Sequence, residues 1–275
     1  MLLISRSSRL ARAVFEDISL GIRDANRRSR LLPNAPKVEV AAQDYAAAGA
    51  AGRISAITAS TYSPYGAATT DDFVWLYENR LVGSTPGRAH YQSIRDGNRG
   101  RCALCNVRGA STLDHHLLKT AHPIFAVSPD NLVPACKDCN TTKLANTVAT
   151  LNPYFDDLGP GPWLEAEVAE TTPATFRFKL IPQPTWSTDL AARAQEHFRL
   201  FEVGQLYAYQ ADRQVSGIRG LLGGLARDIG PVGVRRHLQE TAGSWWSAEP
   251  NSWEAALYTG LAASDWFCDG GHALD

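Results

Sequence analysis

Four of the five cysteines fall into two Cys-x-x-Cys pairs, Cys102-Ala-Leu-Cys105 and Cys136-Lys-Asp-Cys139, separated by 30 residues. A Cys-x-x-Cys turn points two sulfurs at one point, and two such turns complete the tetrahedral four-sulfur set that Zn2+ accepts. A closed four-cysteine site leaves no open coordination position, so this zinc is structural and does not itself catalyse. The bland alternative is that the cysteines are small hydrophobes of a core. Repetition of the same spacing argues against it. Cys268 stands alone and is read as incidental. Thiols in this pattern fit a reducing compartment better than a disulfide framework does.

Whatever lies between the two turns is held inside the clamp. That insert contains Leu113-Asp114-His115-His116-Leu117-Leu118 and Asp130-Asn131-Leu132-Val133-Pro134-Ala135. The second turn then runs on into Asn140-Thr141-Thr142-Lys143. Hydrolysis of a phosphodiester needs a water nucleophile, a base and a cation on the phosphate. His115 has the intrinsic pKa for a base near neutrality. If Asp114 and His115 lie on a strand, their side chains point to opposite faces. The Asp114 carboxylate and the Asn140 amide are oxygen donors of the kind that suit Mg2+ or Mn2+.

The ordered set of Cys-x-x-Cys, Asp-His, Asn-Leu-Val-Pro-x-Cys and Cys-Asn-x-x-Lys resembles the zinc-containing HNH endonucleases of the ββα-metal fold. The resemblance covers about a fifth of the chain. It implies an α+β fold in which a zinc-clamped module is flanked by mainly helical regions. It implies Asp114 and Asn140 as ligands of a catalytic Mg2+ or Mn2+, and His115 as general base. Asn131 would shape the loop and orient that base, and Lys143 would lie near phosphate. Products of such enzymes carry a 5′-phosphate and a 3′-hydroxyl. Relatives often carry a proline two or three residues after the Asp-His pair, where this chain has Leu117-Leu118-Lys119. His116 is an additional histidine: a ligand, a phosphate contact or a filler of the other face. In a colicin-like arrangement His115 would be the ligand and His116 the base. His122 reads as a loop contact.

Charge bears on the partner. Net charge is −1, but it is unevenly distributed. Residues 1–40 carry +4, residues 95–143 carry +3, and residues from 151 onward carry −7. Phosphate binding needs local positive potential, so DNA would meet the first half of the chain. Arg101 and Arg108, with Arg95 and Arg99, flank the motif and could supply the grip; a solvated helix face explains the N-terminal arginines equally well. Two rival readings remain: a catalytically silent zinc module that binds nucleic acid or protein, and an RNase toxin. The segment Asn152-Pro-Tyr-Phe-Asp-Asp157 with Trp163-Leu164 resembles HNH proteins of anti-phage defence operons (Septu-like), which implies an ATPase partner; otherwise it is a turn that braces the module. Trp245, Trp246 and Trp253 read as core packing or as an interface anchor. No apolar run is long enough for a membrane span, and a cytoplasmic protein is expected. Oligomeric state is open, a homo-oligomer included.

The chain is read in three regions: 1–96, mainly helical; 97–150, the nuclease module; and 151–275, a β-hairpin followed by helices. Apolar spacing predicts a helix over 7–29 and another over 73–81, and 90–96 reads as one more helical segment leading into the motif region. Alternation predicts strands at 163–168 and 174–181, with Phe176, Phe178 and Leu180 on one face. Helices are expected over 188–210, 212–228, 232–242 and 252–264. The Ala- and Gly-rich stretch 41–70 gives no clear assignment.

Overall fold

The computed structural model describes residues 3–144 and 149–273. The chain is α+β and mostly helical, with two small antiparallel sheets. It divides into two compact units, 1–157 and 158–275. Regions 1–96 and 97–150 of the sequence reading therefore lie in the same unit. Residues 145–148, the end of the expected module, fall outside the described part.

The expected helix over 7–29 is two helices, α1 (Ala11–Leu20) and α2 (Ala25–Leu31). α1 ends at Gly21, where a Cβ would stand 2.1 Å from the Arg80 guanidinium. Arg80 uses that gap to donate from Nε to the Ile18 carbonyl at 3.1 Å. Asp24 then starts α2 by accepting from the backbone N–H groups of Asn26 and Arg27. The unassigned alanine-rich stretch continues α3 (Ala35–Ala50), whose buried face is Ala35, Val38, Ala41, Tyr45 and Gly49. Alanine is the best helix former, and that spacing puts its one large residue, Tyr45, in the core. α4 (Thr70–Trp75) opens with a reciprocal cap between Thr69 and Asp72 and runs into a π-helical turn, Leu76–Leu81. α5 (Thr85–Arg95) follows.

Asp72 also receives Arg30 (2.7 and 2.9 Å) and Arg27 (3.1 Å), which ties α2 to α4. Elsewhere Arg6 pairs with Asp130, Arg12 with Glu16 and Glu39, and Arg28 with the Ile22 carbonyl. Much of the N-terminal positive charge is thus engaged within the unit.

Strands β1 (Thr112–His115) and β2 (Leu132–Ala135) pair antiparallel, with Asp114 opposite Val133 and His115 opposite Leu132. α6 (Lys137–Leu144) follows β2 directly. A two-stranded sheet is marginal alone. Here its Leu113 and Leu132 join Phe125, Tyr45, Phe15 and Ile18 in one buried cluster with the helices.

In the second unit β3 (Leu164–Ala169) and β4 (Thr175–Leu180) form the expected hairpin, with Phe176 and Phe178 buried. The next helix breaks earlier than expected. α7 (Thr188–Leu200) and α8 (Val203–Asp228) meet at Glu202, whose φ of 49° is left-handed and cannot continue a helix. α9 (Pro231–Ala248), α10 (Trp253–Ala263) and the short α11 (Asp265–Cys268) complete it. Trp246 donates to Thr259 of α10 at 3.0 Å, and Cys268 is buried. Among the described residues no helix is long and apolar enough to cross a membrane.

Candidate metal centre and adjoining His115 site

The two cysteine turns converge. The Sγ atoms of Cys102, Cys105, Cys136 and Cys139 all lie within 4.8 Å of one another, and all four residues are buried. Zinc–sulfur bonds of about 2.3 Å in a tetrahedron place sulfurs roughly 3.8 Å apart, so the cluster could hold a zinc ion. Four thiolates at this separation repel one another strongly without a cation between them. Backbone geometry builds the turns. Asn106 adopts a left-handed φ of 57° and donates its N–H to the Cys102 carbonyl at 2.8 Å. In the second turn the Cys139 N–H points at Cys136 Sγ at 3.5 Å. Ala103 N–H donates to the Pro134 carbonyl at 2.8 Å, so the first turn is laid against the outer edge of β2.

β1 divides its side chains between two faces. Thr112 and Asp114 meet α6, while Leu113 enters the core and His115 meets the loop and Tyr77. His115 Nε2 lies 2.9 Å from the Ala126 carbonyl. A carbonyl only accepts, so Nε2 carries the proton and Nδ1 of the neutral ring carries the lone pair. The ring packs edge-on to Tyr77 with centroids 4.4 Å apart. Burial pushes the His115 pKa down to about 3, reinforced by Lys119 and Lys143 and opposed by the Ala126 bond. The ring is therefore neutral at neutral pH.

Asn131 is fully buried and saturated. Its Oδ1 accepts from the Leu117 N–H (2.7 Å) and the Tyr45 hydroxyl (3.3 Å), and its Nδ2 donates to the carbonyls of Leu117 (2.9 Å) and Phe125 (3.3 Å). It fixes the peptide beside Ala126, whose carbonyl in turn fixes His115. The amide's hydrogen-bonding capacity is spent within the protein on Leu117, Phe125 and Tyr45.

Asp114 and Asn140, expected to share a cation, are engaged separately. The Asn140 amide donates to Thr112 Oγ1 at 3.2 Å, and Thr112 donates onward to the Ala135 carbonyl. Asp114, 1% exposed, is paired with Lys143 at 2.5 Å. Lys143 also donates to the backbone carbonyls of His115 (3.0 Å) and His116 (3.2 Å). Lys143 was expected beside phosphate; its ammonium is instead buried, because three oxygens converge on it. In this arrangement the residues do not offer the Asp114–Asn140 pair that a catalytic Mg2+ or Mn2+ was expected to use.

The remaining candidates are more peripheral. Arg108 pairs with Asp138 at 3.3 Å across the two cysteine turns, both partly exposed. Arg101 bridges to Gly109 through its backbone, Arg95 pairs with Asp96, and Arg99 is exposed. His116 is half-buried and donates its backbone N–H to the Asn131 carbonyl at 2.9 Å. The ring of His122 lies beside Phe125. Sequence reasoning missed Tyr45, Tyr77, Thr112 and the Ala126 carbonyl. None carries a motif, and each is brought in by tertiary packing. Asn152 was read within a possible partner segment. It hydrogen-bonds Tyr45, and the hydroxyl of nearby Tyr154 donates to the Leu132 carbonyl at 2.8 Å, so the segment braces the hairpin.

These observations define an α+β chain with a four-cysteine cluster that could bind zinc, holding an Asp-His strand against a short helix. The chain is similar to Protein ea31 of Escherichia phage lambda, 26% identical over 215 residues that span 71% of this chain and 73% of that protein. No protein-family model matches the chain, and no solved structure does.

Proposed function

We propose that this chain is an HNH-type endonuclease that hydrolyses phosphodiester bonds of DNA. The observation that carries the reading is the state of His115. Its Nε2 lies 2.9 Å from the Ala126 carbonyl, which makes Nε2–H the donor and leaves Nδ1 as the acceptor. A base must be held in one tautomer and one orientation to take a proton from water. The water thus activated attacks phosphorus in line with the leaving 3′-oxygen, which departs to give a 5′-phosphate and a 3′-hydroxyl. A phosphodiester anion beside the ring raises the His115 pKa as the proton transfers, because opposite charge favours the imidazolium. Arg99, Arg101 and Arg108 lie on the same stretch of chain and are the candidates for backbone phosphate contacts.

Incubation of the zinc-loaded protein with supercoiled plasmid and with single-stranded RNA, with and without Mg2+ or Mn2+, tests the reading. Cleavage of plasmid that is lost in His115→Ala supports it. Cleavage of RNA alone makes the chain an RNase, and cleavage of neither makes it a silent zinc module. The defence-operon reading, with an ATPase partner, rests on the Asn152–Asp157 segment with Trp163-Leu164 and the hairpin that follows, and the internal bracing contacts of Asn152 and Tyr154 lend it no support.

A further inference from the structure

An ammonium group has three N–H donors. Lys143 directs its own at the Asp114 carboxylate, the His115 carbonyl and the His116 carbonyl, at 2.5, 3.0 and 3.2 Å. Every donor is matched, and the side chain is only 7% exposed. Saturated in this way, Lys143 has no N–H left for a substrate phosphate. The three acceptors, one anionic and two neutral, are the oxygen donors that a hard cation takes. They are brought together by one turn of chain. Asp114 ends the buried face of β1, and the next two peptides bend so that their carbonyls point back beside it. α6 delivers Lys143 into the gap, three residues after Asn140 on the same helix face.

We infer that the Lys143 ammonium is the resident cation of this oxygen pocket, and that a divalent ion enters only by displacing it. The inference deepens the nuclease reading, which gives the pocket its purpose, and it explains why the Asp114 carboxylate is taken by Lys143. Lys143 thereby acts as a built-in plug. It neutralises a carboxylate that is otherwise buried without a counter-charge, and it keeps the pocket closed to divalent ions until it swings out. Once out, its ammonium regains free N–H donors that can meet phosphate.

Binding of Mn2+ to the full-length zinc-loaded chain, followed by the electron paramagnetic resonance signal of free Mn2+, tests this without any cleavage readout. Lys143→Met is expected to bind one Mn2+ about tenfold or more tightly than the wild type, because a competing unit charge at contact distance is removed. Adding Asp114→Asn to that variant should abolish the gain. Equal affinity in wild type and Lys143→Met, or no Asp114-dependent Mn2+ in either, overturns the inference. A wild-type measurement covers the case in which the variant does not fold. Lys143 should resist an amine-acylating reagent in the absence of Mn2+ and become reactive at saturating Mn2+. Ready labelling without Mn2+, or protection that Mn2+ leaves unchanged, contradicts displacement. A protein that exchanges Lys143 for Mn2+ but cuts no nucleic acid would separate the failure of the nuclease reading from that of the plug.

Discussion

At the scale of single residues, two buried polar groups organise the first unit, and each is matched several times over. Asn131 joins the loop after β1 to the start of β2 through three hydrogen bonds and reaches α3 through a fourth, from the Tyr45 hydroxyl. Asp72 joins α2 to α4 through Arg30, Arg27 and its own helix cap. The Arg30 hydrogen bond, outweighing desolvation, holds the Asp72 carboxyl well below the ordinary carboxylate range. Folded protein therefore keeps this group ionised at pH values where the unfolded chain has protonated it. Its stabilisation is fully present above the unfolded value of about 3.9 and is lost as pH falls through the lower folded value. Asp72→Asn should cost about 2 kcal/mol at pH 7, a modest figure because both arginines are partly exposed. The gap between variant and wild type should shrink in urea titrations as pH falls below about 4. The residue types of the site were legible in the sequence: the cysteines, Asp114, His115, Asn131 and Asn140 all stand in or beside the hairpin. Their pairing was not. Whether a strand carboxylate meets the helix residue at 140 or at 143 depends on the register of α6 against β1, and local sequence carries no signal for that.

At the scale of elements, strands were legible from alternation and most helices from apolar spacing, while helix breaks were not. α1 ends at Gly21, where Arg80 makes a close approach, and α7 and α8 are separated at Glu202 by a left-handed φ. α3 was hidden because an alanine-rich helix has little contrast between its faces. Close approach also fixes α10. A Cβ on Gly260 would stand 2.2 Å from the Ala166 carbonyl of β3, a backbone atom that cannot swing aside. Gly260→Ala should therefore force the helix off the hairpin and cost about 1–3 kcal/mol despite the better helix propensity of alanine. Thermal unfolding of the isolated variant should show the loss; an unchanged or raised Tm contradicts the packing described.

For the whole molecule, the cysteine-clamped hairpin is not a free-standing insert. Its core is continuous with α1, α3 and the π-helical turn, so the boundary expected near residue 96 disappears into one unit ending at 157. What remains peculiar to the module is the cysteine cluster. Structural zinc contributes roughly 10–16 kcal/mol in small finger peptides, comparable with the whole stability of a domain. Stripping metal with a strong chelator, or Cys136→Ser, should lower the Tm substantially and release the β1–β2 pair to hydrogen exchange, and added Zn2+ should restore the stripped wild type. Metal analysis should give one zinc per chain. Exchange protection in β1 and β2 that is indifferent to chelation would mean that the cysteines are ordinary core residues.

The whole reading turns on His115 as the proton acceptor. Single-turnover cleavage of a short DNA duplex by His115→Gly, at one zinc per chain, tests it directly, with imidazole added in increasing amounts. We expect a rate about 10²–10⁴ below wild type that rises with imidazole concentration as the free ring fills the vacated space and takes up the proton. A His115→Gly protein that cuts as fast as the wild type, with or without imidazole, would show that the base lies elsewhere.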